Sequence, residues 1–129
     1  MTFHHDKRNG AYAEYFPSGQ LRKEATYVDD LLDGIEVSFF DNGQKEAEVH
    51  YKAGKKEGLY QQWNQEGILV FEGNYLGDKK HGVVNKYFDD GSPRLVQTFV
   101  NDQLHGLKKS YDQEGNAMES YYEYGKKVR

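Results

Sequence analysis

The sequence contains no cysteine, which excludes disulfides and thiolate metal sites. It has only two prolines and no apolar run near the roughly 18 residues that a membrane-spanning helix requires. Hydrophobic residues make up 36% of the 129, a share that by itself points to a chain too polar to bury a core. Positive charge is in the minority. Lys and Arg number 17 against 21 Asp and Glu, a net charge of −4 that offers no basic footprint for nucleic acid. Residues Met1–Gly10 include His4, His5, Lys7 and Arg8 but no hydrophobic segment, so no secretory leader is expected and the cytoplasm is the expected compartment.

Aromatic side chains offset this polarity. Eleven Tyr, seven Phe and one Trp reach 15% of the chain, and such rings bury large areas while keeping polar tips wet. Their placement is periodic. Gly10, Gly34, Gly58, Gly82 and Gly106 recur every 24 residues, and Gly19, Gly43, Gly67, Gly91 and Gly115 keep the same period nine residues on. Counting each unit from its first glycine as place 1, place 6 is aromatic throughout: Tyr15, Phe39, Trp63, Tyr87 and Tyr111. Place 18 holds Tyr27, Tyr51, Tyr75 and Phe99, and Tyr122 joins if one residue is missing from the last unit. Fixed-period self-similarity identifies one small structural unit stacked repeatedly.

Each unit reads as a β-hairpin. In the second, Ile35–Phe40 is rich in β-branched and aromatic residues, Asp41-Asn42-Gly43 is a turn, and Lys45–Tyr51 leads into a second turn at Ala53-Gly54. Two glycine-bearing turns per unit leave segments too short for helices. The expected organisation is one domain over residues 1–129, with repeats 10–33, 34–57, 58–81, 82–105 and 106–129 after a half repeat at 1–9 that carries Phe3 in the place-18 column. The fold class is all-β: a single-layer, twisted antiparallel meander of about eleven strands, roughly 50 Å wide. Strand alternation across a three-residue loop pairs place 6 with 12 and place 2 with 16. That arrangement puts places 2, 6, 12, 16 and 18, and both aromatic columns, on one face.

These motifs resemble the MORN-repeat family, in the variant type found in bacterial antitoxin-like proteins. The matching pieces are Gly77-Asp78-Lys79-Lys80-His81-Gly82, Ala53-Gly54-Lys55-Lys56-Glu57-Gly58 and Gln103-Leu104-His105-Gly106, together with the aromatic-x-x-x-Gly of Trp63–Gly67. The common MORN unit has a further glycine two places after the His-Gly pair, where this chain has Glu36, Tyr60, Val84 or Lys108. The resemblance covers essentially the whole chain. It implies an intracellular β-sheet that binds protein, in some cases as the antitoxin or immunity partner of a toxin, and it transfers no catalytic residue.

Three columns invite chemistry. His81 and His105 share a place with Asp33 and Glu57, but equivalent atoms two strands apart lie roughly 9–10 Å from each other, too far to share a metal ion at about 2 Å per bond; they are expected to cap turns. Glu24, Glu48 and Glu72 align at place 15, on the expected solvent face, where duplication explains their spacing. Lys7-Arg8, Lys55-Lys56, Lys79-Lys80 and Lys126-Lys127 gather at the inter-repeat turns, a possible contact for anionic lipid that neighbouring Asp and Glu residues offset. No metal, cofactor or enzymatic activity is expected. The candidate partner-binding residues are the nine aromatics Tyr15, Phe39, Trp63, Tyr87, Tyr111, Tyr27, Tyr51, Tyr75 and Phe99, because Tyr and Trp dominate protein-binding hot spots. The expected partner is a protein, with a toxin as the specific case and lipid as the alternative. The end strands, around Phe3 and Met118–Tyr124, offer pairing with a second copy.

Overall fold

Two turn types, alternating every twelve residues or so, build the molecule. At one edge a three-residue loop closes each hairpin: the Phe40 N–H donates to the Gln44 carbonyl (2.8 Å) and the Gly43 N–H to the Phe40 carbonyl (3.0 Å). Gly43 has φ +90°, the left-handed position that ends such a loop and that glycine adopts without steric cost. The same pair of bonds recurs in the other four hairpins. At the opposite edge a two-residue turn passes the chain to the next hairpin, with both residues at positive φ: Asp29 and Asp30, Ala53 and Gly54, Gly77 and Asp78, Asn101 and Asp102, Tyr124 and Gly125. That is the type I′ geometry whose twist matches the strands it joins.

The computed structural model describes the backbone of residues 2–4 and 7–129 and the side chains of 8–129. The described strands are β1 (Thr2–His4), β2 (Lys7–Tyr15), β3 (Leu21–Val28), β4 (Leu31–Leu32), β5 (Gly34–Phe39), β6 (Lys45–Lys52), β7 (Lys55–Trp63), β8 (Leu69–Leu76), β9 (Lys79–Lys80), β10 (Gly82–Tyr87), β11 (Pro93–Val100), β12 (Gln103–Tyr111), β13 (Ala117–Glu123) and β14 (Lys126–Lys127). They form one open antiparallel sheet in sequence order, β1-β2-β3-β5-β6-β7-β8-β10-β11-β12-β13-β14, with β4 on β3 and β9 on β8. β3, β6, β8, β11 and β13 begin 24 residues apart, at 21, 45, 69, 93 and 117. The meander of hairpins is therefore as expected. It exceeds eleven strands because β4 and β9 are broken-off starts of β5 and β10, and because β14 adds a short pair at the end. Of the half repeat expected over residues 1–9, positions 1, 5 and 6 lie outside the described residues. The backbone of β1 does place Phe3 opposite Arg8, as Tyr27 stands opposite Leu32 and Tyr51 opposite Lys56.

Face assignment departs from the expectation. Phe39 pairs with Lys45, so place 6 does meet place 12, but Ser38 pairs with Ala47 and Glu46 is left unpaired. Arg22, Val70 and Arg94 are skipped in the same way. This bulge at place 13 shifts the ladder by one residue, so place 2 meets 17 rather than 16: Ile35 faces His50, and Glu36 faces Val49. Places 3, 5, 14, 16 and 18 consequently share one face, and places 2, 4, 6, 15 and 17 the other. The last hairpin has no bulge. Its pairing runs unshifted from Gly106↔Tyr122 to Tyr111↔Ala117, so the residue missing from the final unit is the bulge residue itself.

Burial agrees with the shifted register. Every fully buried apolar residue (Ala25, Ala47, Val49, Val84 and Phe99) lies on the face of places 3, 14, 16 and 18. In a single layer such burial comes from neighbours on the same face, so this inner face folds onto itself. A second irregularity recurs at place 1. Val49 pairs with Tyr60 and Tyr51 with Lys56, so three residues including Gly58 stand opposite His50 alone. Gly58 has φ +94°, which a β-carbon would strain. If the place-13 bulge is as dispensable as the last hairpin implies, deleting Glu46 leaves places 14–18 aligned and the protein folded. Deleting Val49 instead moves Glu48 to an inner position and lowers the melting temperature much further; thermal unfolding of the two variants compares them.

Candidate functional site

Stacked turns fix the edges that position both faces. The Arg8 N–H donates to Asp30 Oδ1 (2.6 Å), the Lys56 N–H to Asp78 Oδ1 (2.8 Å) and the Lys80 N–H to Asp102 Oδ1 (2.8 Å). The reciprocal bonds run from the Asp30, Asp78 and Asp102 N–H groups to the Arg8, Lys56 and Lys80 carbonyls. The column of Asn9, Asp33, Glu57 and His105 does parallel work, accepting from the N–H groups of Asp29, Ala53, Gly77 and Tyr124 at 2.7–3.2 Å. His105 Nδ1 is therefore a turn cap. No such bond reaches His81, and among the described residues no three His, Asp or Glu side chains gather closely enough to hold a metal ion. Replacing Asp78 by Ala removes a cap and leaves Ala at φ +71°, an expected loss of about 1–2 kcal/mol. Asp78→Asn keeps an acceptor and tolerates that φ, so urea unfolding should show under about 0.5 kcal/mol for it.

The inner face carries the place-18 column. Tyr27, Tyr51 and Tyr75 are half-buried and Phe99 is buried. Place 3 adds Tyr12 and Tyr60, which meet the column edge-on or tilted: Tyr12–Tyr27 at 5.9 Å, Tyr60–Tyr75 at 5.8 Å and Tyr60–Phe71 at 5.5 Å between centroids. Cations lie over these rings, with Arg8 at 5.2 Å from Tyr27, Lys56 at 5.1 Å from Tyr60 and 5.2 Å from Tyr75, and Lys80 at 5.1 Å from Phe99. Lys56 stands beside Tyr51 in its own hairpin pairing but over Tyr75 of the next, so each cation bridges two rungs, at about 0.5–1 kcal/mol where exposed. Of each turn dipeptide Lys55-Lys56 and Lys79-Lys80, one lysine thus lies over the inner face and only Lys55 and Lys79 remain exposed at the edge.

A depression of about 430 Å3 opens on this face, lined by Val49, Tyr51, Lys56 and Tyr60 together with the carboxylates Glu36 and Glu46. Burial pushes the Tyr51, Tyr60 and Tyr75 phenols above their ordinary range, and Glu36 adds to this at Tyr51 and Tyr60. Tyr12 is raised chiefly by its hydrogen bond to Glu14. Because the folded state holds these protons more tightly, it carries extra stability below the unfolded value near 10.0 and loses it as the pH rises through the folded values. Absorbance titration should show a set of tyrosines ionising late in the folded protein and all eleven ionising together near pH 10 in denaturant.

The outer face differs in kind. It carries the place-6 column, identified by register and by contact: Lys109 lies over Tyr111 (5.2 Å), and Lys45 both lies over Trp63 (5.9 Å) and pairs with Glu48 (3.2 Å). The two aromatic columns expected on one face therefore occupy opposite faces, because the bulge changes the parity between them. Six of the large exposed apolar residues (Tyr15, Val28, Leu31, Ile35, Leu76 and Val83) also fall on the outer side by pairing, with Tyr15 62%, Ile35 44% and Val83 42% exposed. Glu24, Glu48 and Glu72 line it too, Glu72 accepting from Gln61 Nε2 (2.8 Å). At the chain's end β14 pairs only with Tyr122 and Glu123, and no strand among the described residues pairs beyond Ala117–Ser120.

The fold defines a class, an open single-layer sheet of tandem hairpins whose turns cap one another. Within it, residues 8–29 and 32–53 each match the MORN repeat variant. The two matches lie 24 residues apart and begin at Arg8 and Leu32, the equivalent positions opposite the place-18 column. The later hairpins repeat the backbone register of these two segments. A search of curated proteins found no match. Among the described residues no helix is long and apolar enough to cross a membrane.

Proposed function

We propose that the chain is a non-enzymatic scaffold that binds another protein across the outer face of its sheet. One contrast carries this reading: every buried apolar side chain among the described residues lies on the inner face, whereas the outer face leaves Tyr15, Ile35 and Val83 exposed. An exposed apolar patch with aromatic anchors is the kind of surface that marks protein interfaces. Its carboxylates, Glu24, Glu48 and Glu72, select a partner with a basic rim. The resemblance to variant MORN repeats supports protein binding in general, and it motivates the specific reading that the partner is a toxin encoded beside this chain. Of the nine candidate aromatics, Tyr15, Phe39, Trp63, Tyr87 and Tyr111 are then contact residues. Tyr27, Tyr51, Tyr75 and Phe99 hold the sheet.

Co-expression tests both levels. Cells producing the neighbouring gene product alone should stop growing and should recover with this protein. They should fail to recover with Tyr15→Ser/Ile35→Ser/Val83→Ser, although its circular dichroism is unchanged. Full rescue by that variant would overturn the outer-face site. A harmless neighbouring product would overturn the toxin reading.

A further inference from the structure

Charge is unevenly distributed on the inner face. In its first half two of the carboxylates have cationic partners: Arg22 pairs with Glu14 at 2.6 Å and Lys23 approaches Glu36 at 4.0 Å. From β7 onward the strand residues of that face include Lys56, Lys80, Lys86, Lys108 and Lys127 and no Asp or Glu. None of these lysines makes a salt bridge among the described residues. The nearby acids are Glu36 and Glu46 on β5 and β6, which line one depression with Lys56; Asp78 and Asp102 in the turns, occupied by the backbone N–H groups of Lys56 and Lys80; and Asp89 in a hairpin loop beside Lys86. A chain with net charge −4 thus concentrates lysines without ion pairs among the described residues on half of one face, the strands beyond β7 carrying no carboxylate there.

These cations are held in place. Lys56 over Tyr75, Lys80 over Phe99 and Lys108 over Tyr122, at 5.2, 5.1 and 5.9 Å, form three successive rungs, and Lys127 stands opposite Tyr122 at the end. Ring contact limits the rotamer freedom that an ion pair would otherwise cost at binding. Successive rungs lie two strands apart, roughly 9.5 Å. Three residues of polyproline II span about 9.3 Å, so an extended peptide crossing the strands with a carboxylate at every third residue would meet one rung per triplet. Phosphates on a nucleic-acid strand come far more densely, about one per 3.4 Å in a duplex. A bilayer presents a flat surface to a face that folds inward.

We propose that the inner face of β7–β14 is a second docking site, for an acidic extended polypeptide segment, with Lys56, Lys80, Lys108 and Lys127 as its carboxylate contacts and Tyr75, Phe99 and Tyr122 as its floor. It is separate from the outer-face site and stands or falls independently of it.

Fluorescence anisotropy with a labelled peptide of repeated Glu-Pro-Pro triplets, against its Gln-Pro-Pro counterpart, tests the site on the whole protein. The acidic peptide should bind at least about tenfold more tightly, an advantage that shrinks as added salt shortens the Debye length. Lys56→Gln/Lys80→Gln/Lys108→Gln should weaken it about tenfold, three contacts of roughly 0.5 kcal/mol each, with circular dichroism unchanged. The edge control Lys55→Gln/Lys79→Gln should change it less than about twofold, and the outer-face triple variant should leave it unaltered. Equal affinity for the two peptides, no binding of either, or an equal loss in the edge control overturns the proposal. So does retention of an oligothymidylate or of phosphatidylserine vesicles through the same three lysines while the peptide is not bound. None of these results bears on rescue through the outer face.

Discussion

Val84→Asp should destabilise the protein by at least about 3 kcal/mol, whereas Val83→Asp, one residue away, should stay within about 0.5 kcal/mol. The two valines differ only in the face they occupy. Val84 is 1% exposed and Val83 42%. Val84 packs over the position of Gly73, where a β-carbon would lie 3.4 Å from the Val84 side chain and 3.3 Å from the Phe71 ring. The space left by that missing side chain is filled by Val84 and Phe71. A carboxylate there loses its hydration at a position that is almost wholly buried. A domain of this size has a total stability of about 5–15 kcal/mol, so the loss removes a large part of it. Urea midpoints of the two variants compare the faces directly. Equal losses would mean that the inner and outer assignments are not distinct.

The second large effect concerns length. Removing residues 58–81 takes out one full period, so Glu57 is followed by Gly82 as it was by Gly58. Every inner residue then meets an inner residue of the next hairpin, and the turn caps re-form with equivalent partners. Removing residues 58–69 takes out about one strand and one turn. A type I′ edge is then joined to the bulged strand, and the aromatic, glycine and cap columns downstream no longer coincide with those upstream. Repeat proteins draw stability from such nearest-neighbour matching, so the half-period deletion should unfold most of the sheet.

Much of the architecture was legible in the residues. The 24-residue glycine period announced two turns per unit, because Gly43 and its equivalents occupy a backbone conformation that other residues resist. The place-18 column was legible, as was the role of His105 as a cap, since duplication alone accounted for the spacing. The assignment of faces was not. It depends on one unpaired residue per hairpin, Arg22, Glu46, Val70 or Arg94, whose varied side chains carry no common signal. A trace of it was present in the last unit, where Tyr122 reaches its column one residue early because the bulge is absent.

The same bulge hid part of the inner face. Place 3 holds Tyr12, Glu36, Tyr60, Val84 and Lys108, a set with no shared chemistry, and only the pairing of Tyr60 with Val49 and of Glu36 with Val49 on the two sides of β6 shows that it faces the core column. Lys56 and Lys80 looked like edge lysines because they sit beside the turns. Pairing with Tyr51 and Tyr75 turns them onto the rings. Local sequence defines turns well, whereas side-chain direction accumulates along a strand and is reversed by a single extra residue.

The most direct test of this register is far-ultraviolet circular dichroism with thermal unfolding of the two deletions side by side. The variant lacking residues 58–81 should keep a cooperative transition and the β signature of a shorter sheet, while the variant lacking 58–69 should show neither. Equal loss of structure in both, or a folded half-period variant, would contradict a sheet built from hairpins held in a fixed 24-residue register.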